Sequence, residues 1–182
     1  MRKLLMLVVI AFALPASAAR WQVDPAASTL TFSGNQSGEL FNGGFKTFTS
    51  DIEFDEKKLE TSRIRITVDM ASFTIDGKDR AEALPTDEWL HVAKFPTAEF
   101  TSAQVTKTGD RTYEALGDLT LHGVSKTIAV PFRLATRNGV TEVDGSVELL
   151  RNDFRIGGGR WADDKWVAFP VNVQFHLVAK PK

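Results

Sequence analysis

A period-two alternation of apolar and polar residues recurs along the chain and limits the possible folds more than any other pattern in the sequence. It is clearest over residues 63–70, where every even position is apolar and every odd position is polar. Such alternation indicates a β-strand with one buried face. The same kind of pattern recurs at residues 29–33, 48–54, 97–106, 113–121, 128–134, 143–149 and 171–177. The sequence therefore predicts about eight strands.

Turn signals separate most of these strands. The dipeptides that favour a hairpin turn are Gly43-Gly44, Gly109-Asp110, His122-Gly123 and Asn138-Gly139, and Asn-Gly is the strongest signal of this kind. Pro131 and Pro170 lie inside strand-like runs, where proline removes a hydrogen-bond donor, so bulges or strand ends are expected there. No strand–helix–strand rhythm is present. We therefore predict an all-β fold, an eight-stranded antiparallel lipocalin-like barrel.

Residues 76–92 break the strand pattern. The first half of this segment predicts a short helix that Pro85 ends. Thr86 is expected to cap a second helical turn. A short helical insert between two halves of an antiparallel barrel would act as a lid over one opening, and its movement would gate that opening.

Composition leaves the state of the barrel interior open. The chain has 13 phenylalanines and one tyrosine, and phenylalanine gives apolar walls without a polar group that needs a partner. A barrel of this size either fills with side chains or holds one small ligand. An ordinary aromatic core and a ligand cavity are equally good interpretations at this point.

The N-terminal residues predict export. Met1-Arg2-Lys3 is basic, residues 4–14 form an unbroken apolar run, and Pro15-Ala16-Ser17-Ala18 offers an Ala-x-Ala cleavage pattern. This layout is typical of a secretory signal peptide, and its apolar run is short for a membrane span. We expect residues 1–18 to be removed and residues 19–182 to form one domain in the periplasm.

The charge of the mature chain disfavours several classes of partner. Removing the signal peptide takes two of the chain's 22 basic residues and leaves all 23 acidic ones, for a net charge of −3. A mildly acidic chain without a basic stripe is a poor binder of nucleic acid. No later segment is apolar enough for a transmembrane helix, so permanent membrane insertion is not expected. The chain has no cysteine, which removes thiol chemistry and thiolate metal ligands.

No residue pattern points to catalysis or to metal binding. His91, His122 and His176 lack the spacing of a metal site. A Gly-x-Ser-x-Gly elbow is absent, and Gly157-Gly158-Gly159-Arg160 lacks the Lys-Ser/Thr of a phosphate loop. We therefore expect no enzyme activity, no catalytic residue, no metal and no cofactor.

Several longer motifs follow one another along nearly the whole mature chain. They are Trp21-x-Val23-Asp24, Ser28-x-Leu30-x-Phe32, Leu90-x-Val92-Ala93-Lys94-Phe95-Pro96, Gly117-x-Leu119-Thr120-Leu121-His122-Gly123-Val124 and Arg151-Asn152-Asp153-Phe154. In this order they resemble the YceI family of lipocalin-like, polyisoprenoid-binding periplasmic proteins. The chain departs from many members of that family at Ala27, Ala81 and Ala83, where those members carry His, Asp and His.

The resemblance implies a carrier whose barrel sheathes an isoprenoid chain of the polyprenyl or quinone type, with the head group near one mouth. Arg80 is the candidate for the head group, because a cation suits a phosphate or a quinone carbonyl. The alternative for Arg80 is a solvated helix arginine paired with Asp76 or Glu82. The inward apolar residues expected to contact the ligand are Phe32, Phe48, Ile66, Phe73, Leu84, Phe100, Leu119, Val130, Phe154 and Phe175.

The resemblance also implies a membrane cytochrome b561-like protein as a partner, and it leaves open whether the chain forms a homodimer. The competing interpretation is a non-enzymatic periplasmic stress or structural protein with a filled barrel. Such a protein would act through its surface and would carry no lipid.

Overall fold

The computed structural model describes residues 19–182, so the predicted signal peptide, residues 1–18, lies outside the described residues. The strand segments are β1 (Arg20–Val23), β2 (Thr29–Gln36), β3 (Glu39–Phe45), β4 (Phe48–Glu53), β5 (Arg63–Asp69), β6 (Phe73–Ile75), β7 (Thr97–Gly109), β8 (Thr112–Leu121), β9 (Val124–Arg137), β10 (Val140–Leu150) and β11 (Val167–Pro181). One α-helix among the described residues, α1 (Lys78–Ala83), lies between β6 and β7.

The eleven segments build eight strands, because three of the strands are interrupted. β1 and β2 form the first strand, β3 and β4 the second, and β5 and β6 the third. The first strand pairs with the second through β2–β3 and β1–β4. The second strand pairs with the third through β3–β6 and β4–β5. Each strand is antiparallel to the next. β11 then pairs with both β1 and β2, which closes the ring. The predicted eight-stranded antiparallel barrel is therefore confirmed.

Three hairpins turn through two residues that both have positive φ. These are Ser37-Gly38 (54° and 87°), His122-Gly123 (51° and 74°) and Asn138-Gly139 (52° and 76°). This geometry is that of a type I′ turn, whose twist matches the flanking strands. The predicted turns at His122 and Asn138 are confirmed. The Gly109-Asp110 signal lies one residue early, since β7 runs to Gly109 and the turn follows it.

The predicted turn at Gly43-Gly44 is wrong, because both glycines lie inside β3. A side chain at Gly43 would collide with the ring of Phe32 on β2 and with the backbone oxygen of Thr74 on β6. These glycines therefore permit close approach of neighbouring strands rather than a reversal of the chain.

The two strand prolines behave differently. Pro170 lies where the register between β11 and β2 shifts, between Val167 and Val171, so the predicted bulge is confirmed. Pro131 pairs with Glu114 in an unbroken β8–β9 register, so no bulge forms there. On its other side, however, the pairing of β9 with β10 ends one residue away, at Phe132.

The insert between β6 and β7 contains the predicted short helix, and Pro85 follows it. Thr86 begins a turn but no second helix, since the backbone N–H groups of Trp89 and His91 both donate to its carbonyl (3.1 and 2.8 Å). The predicted cap is absent, because the hydroxyl of Thr86 donates to the carbonyl of Ala83 (2.6 Å). The carbonyl of Glu88 accepts from the backbone N–H groups of Gly157 and Gly158 (2.8 and 2.7 Å). The insert is thereby fastened to the loop that follows β10.

The buried apolar residues form two clusters along the barrel. One contains Phe54, Tyr113 and Phe132, and the other contains Leu90 from the insert together with Phe154. In residues 19–182, no helix has the length and apolarity that crossing a bilayer requires.

Candidate ligand-binding site

The barrel encloses a cavity of about 1030 Å³, at the upper end of the range usual for ligand sites. Every one of the eight strands contributes apolar side chains to its wall. The interior of the barrel is therefore not filled by side chains, which decides between the two interpretations that composition left open.

Strand alternation accounts for the composition of the wall. Residues 64, 66, 68 and 70 line the cavity, whereas the polar residues 63, 65, 67 and 69 do not. The same holds over residues 128–134 and 171–177, where every second residue lines the cavity. Because β-strand side chains alternate between faces, the period-two pattern of the sequence becomes an apolar lining.

Ten of the eleven residues predicted to contact a ligand line this cavity. They are Phe32, Phe48, Ile66, Arg80, Leu84, Phe100, Leu119, Val130, Phe154 and Phe175. Phe73 does not line it, so its predicted place on the wall is wrong. A short 3₁₀ turn at Met70–Ser72 precedes Phe73, and Met70 lines the cavity instead. Contact of the other ten with a ligand stays a prediction.

Inward-facing glycines opposite phenylalanines keep the cavity open. Three phenylalanine–glycine pairs sit directly across from each other on neighbouring strands: Phe32 and Gly43, Phe41 and Gly34, Phe175 and Gly145. In each pair the ring lies over the glycine, in the space that a side chain would occupy. The rings therefore lie against the wall instead of crossing the cavity. Sequence reasoning missed these pairs, although glycine at inward positions was a usable signal.

Arg80 lies at one mouth of the cavity. Its Nε donates to the side-chain oxygen of Gln36 (2.6 Å), its Nη1 contacts Asp76 Oδ1 (3.2 Å), and its guanidinium stands over the ring of Phe41 (5.5 Å). Glu82 instead faces Lys78 (3.7 Å). Arg80 thus both borders the cavity and pairs with Asp76, and its contact with a head group stays a prediction.

Arg151 is a wall residue whose role the sequence did not reveal. Its side chain lies beside the cavity with the residue only 4% exposed, and it donates to the carbonyls of Ala168 (3.1 Å), Ile156 (2.9 Å), Asp163 (2.7 Å) and Val167 (2.7 Å). Burial lowers the pKa of Arg151, and the nearby charges of Asp164 and Asp163 oppose that shift. Arg151 fastens the loop after β10 to the start of β11.

The guanidinium of Arg151 is also covered on two sides by aromatic rings. It stands 5.6 Å from the ring centre of Trp89 and 5.1 Å from that of Phe169. Trp89 belongs to the insert, so this contact adds to the hydrogen bonds of Glu88 in holding the insert in place. Cation–π contacts of this kind strengthen when water is excluded.

A buried tyrosine borders the core beside the cavity. The hydroxyl of Tyr113 donates to Glu56 Oε2 (2.8 Å), and Glu56 itself lines the cavity. Burial, with the hydrogen bond to Glu56 and the charges of Glu56 and Asp110, raises the pKa of Tyr113 to about 12. Tyr113 is therefore a neutral hydrogen-bond donor under ordinary conditions.

The histidines lie where the sequence placed them. His176 faces away from the cavity and contacts Asp144 Oδ1 (2.7 Å) on the outer surface. The ring of His122, in its hairpin turn, contacts the carbonyl of Phe154 through Nδ1 (3.0 Å). Among residues 19–182, no group of three or more His, Cys, Asp or Glu side chains could hold a metal ion.

A closed eight-stranded antiparallel barrel around one apolar cavity defines a lipocalin-like barrel. Within that class, the chain belongs to the YceI-like domain family, whose family model matches residues 21–179. The resemblance seen in the sequence motifs is thereby confirmed.

Curated relatives of the chain carry the description UPF0312 protein. One from Pseudomonas savastanoi pv. phaseolicola is 35% identical over 128 residues, covering 65% of this chain and 65% of the relative. UPF0312 protein VVA0736 from Vibrio vulnificus is 32% identical over 130 residues, covering 70% and 68%. The chain thus matches about two thirds of the length of these relatives, and just under two thirds of the Pseudomonas one.

Solved structures share the fold. BcnA from Burkholderia cenocepacia is 31% identical with a TM-score of 0.84, covering 87% of this chain and 100% of that structure. A polyisoprenoid binding domain from Saccharophagus degradans, implicated in plant cell wall breakdown, is 15% identical with a TM-score of 0.69, covering 90% and 99%. At 15% identity, the similarity to the Saccharophagus domain shows a shared fold and nothing further.

Proposed function

We propose that this protein binds one apolar lipid of the isoprenoid class, polyprenyl or quinone in type, inside its barrel and carries it through the periplasm without modifying it. The observation that carries the proposal is the cavity of about 1030 Å³, to whose wall all eight strands contribute alternate apolar residues. That the lipid is an isoprenoid is supported by the chain's membership of the YceI-like family and by the description of the Saccharophagus domain.

The driving force for such binding is burial of the hydrocarbon chain. Each buried CH₂ contributes roughly 0.8 kcal/mol, so about ten such groups contribute roughly 8 kcal/mol before ordering costs. Net affinities in proteins do not exceed about 20 kcal/mol. A long apolar chain therefore binds tightly without many specific contacts, and the slow step of a carrier would be exchange with the membrane.

The head group would lie at the mouth beside Arg80. A quarter of this side chain is exposed, and its guanidinium already holds Gln36 and Asp76. A phosphate or carbonyl oxygen would compete with these two partners for the same donors. Selectivity for the head group would then be modest. If the lipid is a quinone, a membrane cytochrome b561-like protein would be the partner that supplies or receives it.

Mass spectrometry of an organic extract from natively purified protein tests the proposal. The extract should contain one isoprenoid lipid per chain, and the same protein denatured and refolded without lipid should give none. Intact mass in the same experiment should show a chain that begins at Ala19, as export with cleavage after Ala18 requires.

Two single substitutions provide a matched pair for the same measurement. Ile66 lines the cavity and Arg65, its neighbour on β5, points outward. Ile66→Trp should narrow the cavity and reduce the amount of bound lipid, whereas Arg65→Trp should leave the lipid amount unchanged. A clean extract from the unaltered protein, with no uptake of added polyprenol, would contradict the proposal and direct attention to the outer surface.

A further inference from the structure

Between β9 and β10 lies an interval in which the two neighbouring strands are not joined by backbone hydrogen bonds. Within the described chain, pairing between β9 and β10 ends at Phe132 and Gly145, while β9 stays paired with β8 back to Val124 and β10 stays paired with β11 up to Leu150. Residues 124–131 of β9 and 146–150 of β10 are therefore facing edges without a ladder between them. We call this interval the seam.

Pro131 explains where the seam begins. The next pair in the β9–β10 register would join Pro131 to Ser146, and proline has no N–H to donate to that pair. Proline in a strand is tolerated at an edge, and here it lies at the point where β9 becomes an edge. The strand remains fully paired with β8 on its other side.

The seam lies between the outer surface and the apolar cavity. On the inside, Ile128 and Val130 of β9 and Val147 of β10 line the cavity. On the outside, Leu116 is 40% exposed beside its cross-strand partner Ala129, on the β9 side. Leu150 at the end of β10 is 41% exposed. The outward residues of the seam are mixed, because Ala129 and Leu150 lie beside Thr127, Ser146 and Glu148. An apolar chain that passed through the seam would therefore meet apolar side chains chiefly on the inner face.

Side chains, rather than a ladder, close one end of the seam. The ring of Phe154 is 2% exposed, and its cluster is flanked by Val124 from β9 and Leu149 from β10. The carbonyl of Phe154 contacts the ring of His122 (3.0 Å) just before β9. Opening the seam therefore requires displacement of side chains and leaves the paired strand edges intact. Regions held by few backbone hydrogen bonds open at lower cost than the rest of a fold.

We infer that the seam is a lateral portal through which the apolar chain of the ligand passes between the surroundings and the cavity. The inference rests on the proposed lipid-binding function. It differs from threading a long lipid end-on through the mouth beside Arg80, because a lateral portal admits the chain along its length. Phe154 and His122 would be the closing elements of the portal.

Cross-linking across the seam tests the portal. Ala129 and Glu148 point outward and would face each other if the β9–β10 register continued. The chain has no cysteine, so Ala129→Cys with Glu148→Cys places two unique thiols for a short bis-maleimide. The matched control is Ser146→Cys with Gln174→Cys, an outward and directly paired position on the other edge of β10.

The readout is the rate at which the mature protein takes up and releases a fluorophore-labelled polyprenol supplied in phosphatidylcholine vesicles. Cross-linking at 129 and 148 should slow both rates at least tenfold and change equilibrium binding less than twofold, while the control cross-link should change neither. Unchanged rates in the seam variant, or equal slowing in the control, would overturn the portal. If neither variant binds the polyprenol before cross-linking, the lipid-binding proposal itself fails.

Discussion

Replacing Arg151 should lower the free energy of unfolding more than replacing any exposed arginine does. The four carbonyls that accept from its guanidinium lie at Ile156, Asp163, Val167 and Ala168, so the change Arg151→Met leaves four acceptors without their donor. Methionine retains part of the volume but donates no hydrogen bond. The loop after β10 would then lose its main attachment to β11.

The size of this effect follows from the number and kind of bonds. A hydrogen bond from a charged donor contributes about 1.5–3 kcal/mol, but such contributions are not additive. Removing the guanidinium also removes the cost of burying its charge. We therefore expect a loss of about 3–5 kcal/mol in the free energy of unfolding. For a chain of this length that loss corresponds to a fall in Tm of about 6–20 °C.

Urea and thermal unfolding of the purified mature protein measure this loss. Arg133→Met, an exposed position on the outer face of β9, is the control and should change stability by less than about 0.5 kcal/mol. Arg151→Lys should cause most of the loss seen for Arg151→Met, because a single ammonium cannot reach all the carbonyls arranged around a planar guanidinium. A loss below about 1 kcal/mol for Arg151→Met would refute this reasoning.

Three further predictions concern the core, the wall and the seam. The free energy of unfolding should fall by about 1.4 kcal/mol per pH unit between pH 10 and about 12, because Tyr113 loses its proton there in the unfolded chain and keeps it in the folded protein. Urea unfolding at each pH measures this fall, and Tyr113→Phe should abolish it. Gly43→Val should lower the free energy of unfolding by about 1–3 kcal/mol in urea, because the new side chain meets the ring of Phe32. Pro131→Val restores an N–H at the seam opposite Ser146, so it should slow lipid release and increase hydrogen-exchange protection at Ser146.

Each of these has a specific control. Tyr113 is the one tyrosine of the chain, so tyrosinate absorbance reports its ionisation directly, and a midpoint near pH 10 would contradict the prediction. Leu40→Val, at an exposed position on the same strand as Gly43, should be neutral; an equal loss there would show that the collision is not the cause. Pro170→Val, at the bulge, should leave lipid release unchanged, and slowing there would contradict the role given to Pro131.

The sequence predicted the barrel because period-two alternation is a local property that the strands preserve. The run at residues 63–70 is the clearest example, since its four apolar residues all line the cavity. The Asn138-Gly139 turn was predictable for the same reason, because a type I′ turn depends on its own two residues. Seven of the predicted residues that line the cavity lie on strands, where this alternation places them, whereas Arg80, Leu84 and Phe154 lie outside the strands.

The features that the sequence did not predict depend on contacts between segments that lie far apart in the chain. Arg151 reaches carbonyls up to 17 residues away, and nothing near it in the sequence indicates that attachment. Gly43 reads as a turn residue until the ring of Phe32 is seen to occupy the space above it. Phe73 lies outside the alternation of residues 63–70 and follows a 3₁₀ turn at Met70–Ser72, so the pattern of β5 does not predict where its side chain faces.

The way in which the barrel closes determines when, during folding, the cavity can form. Seven of the eight strand interfaces join strands that are consecutive in the chain, and the eighth joins β11 to β1 and β2. The consecutive hairpins need only local encounters, whereas the last interface needs contact between residues more than 130 positions apart, such as Thr31 and Gln174. Until β11 docks, the apolar faces of the other strands form an open sheet with no enclosed space. A lipid present during folding would meet that open sheet and become enclosed as the last interface forms.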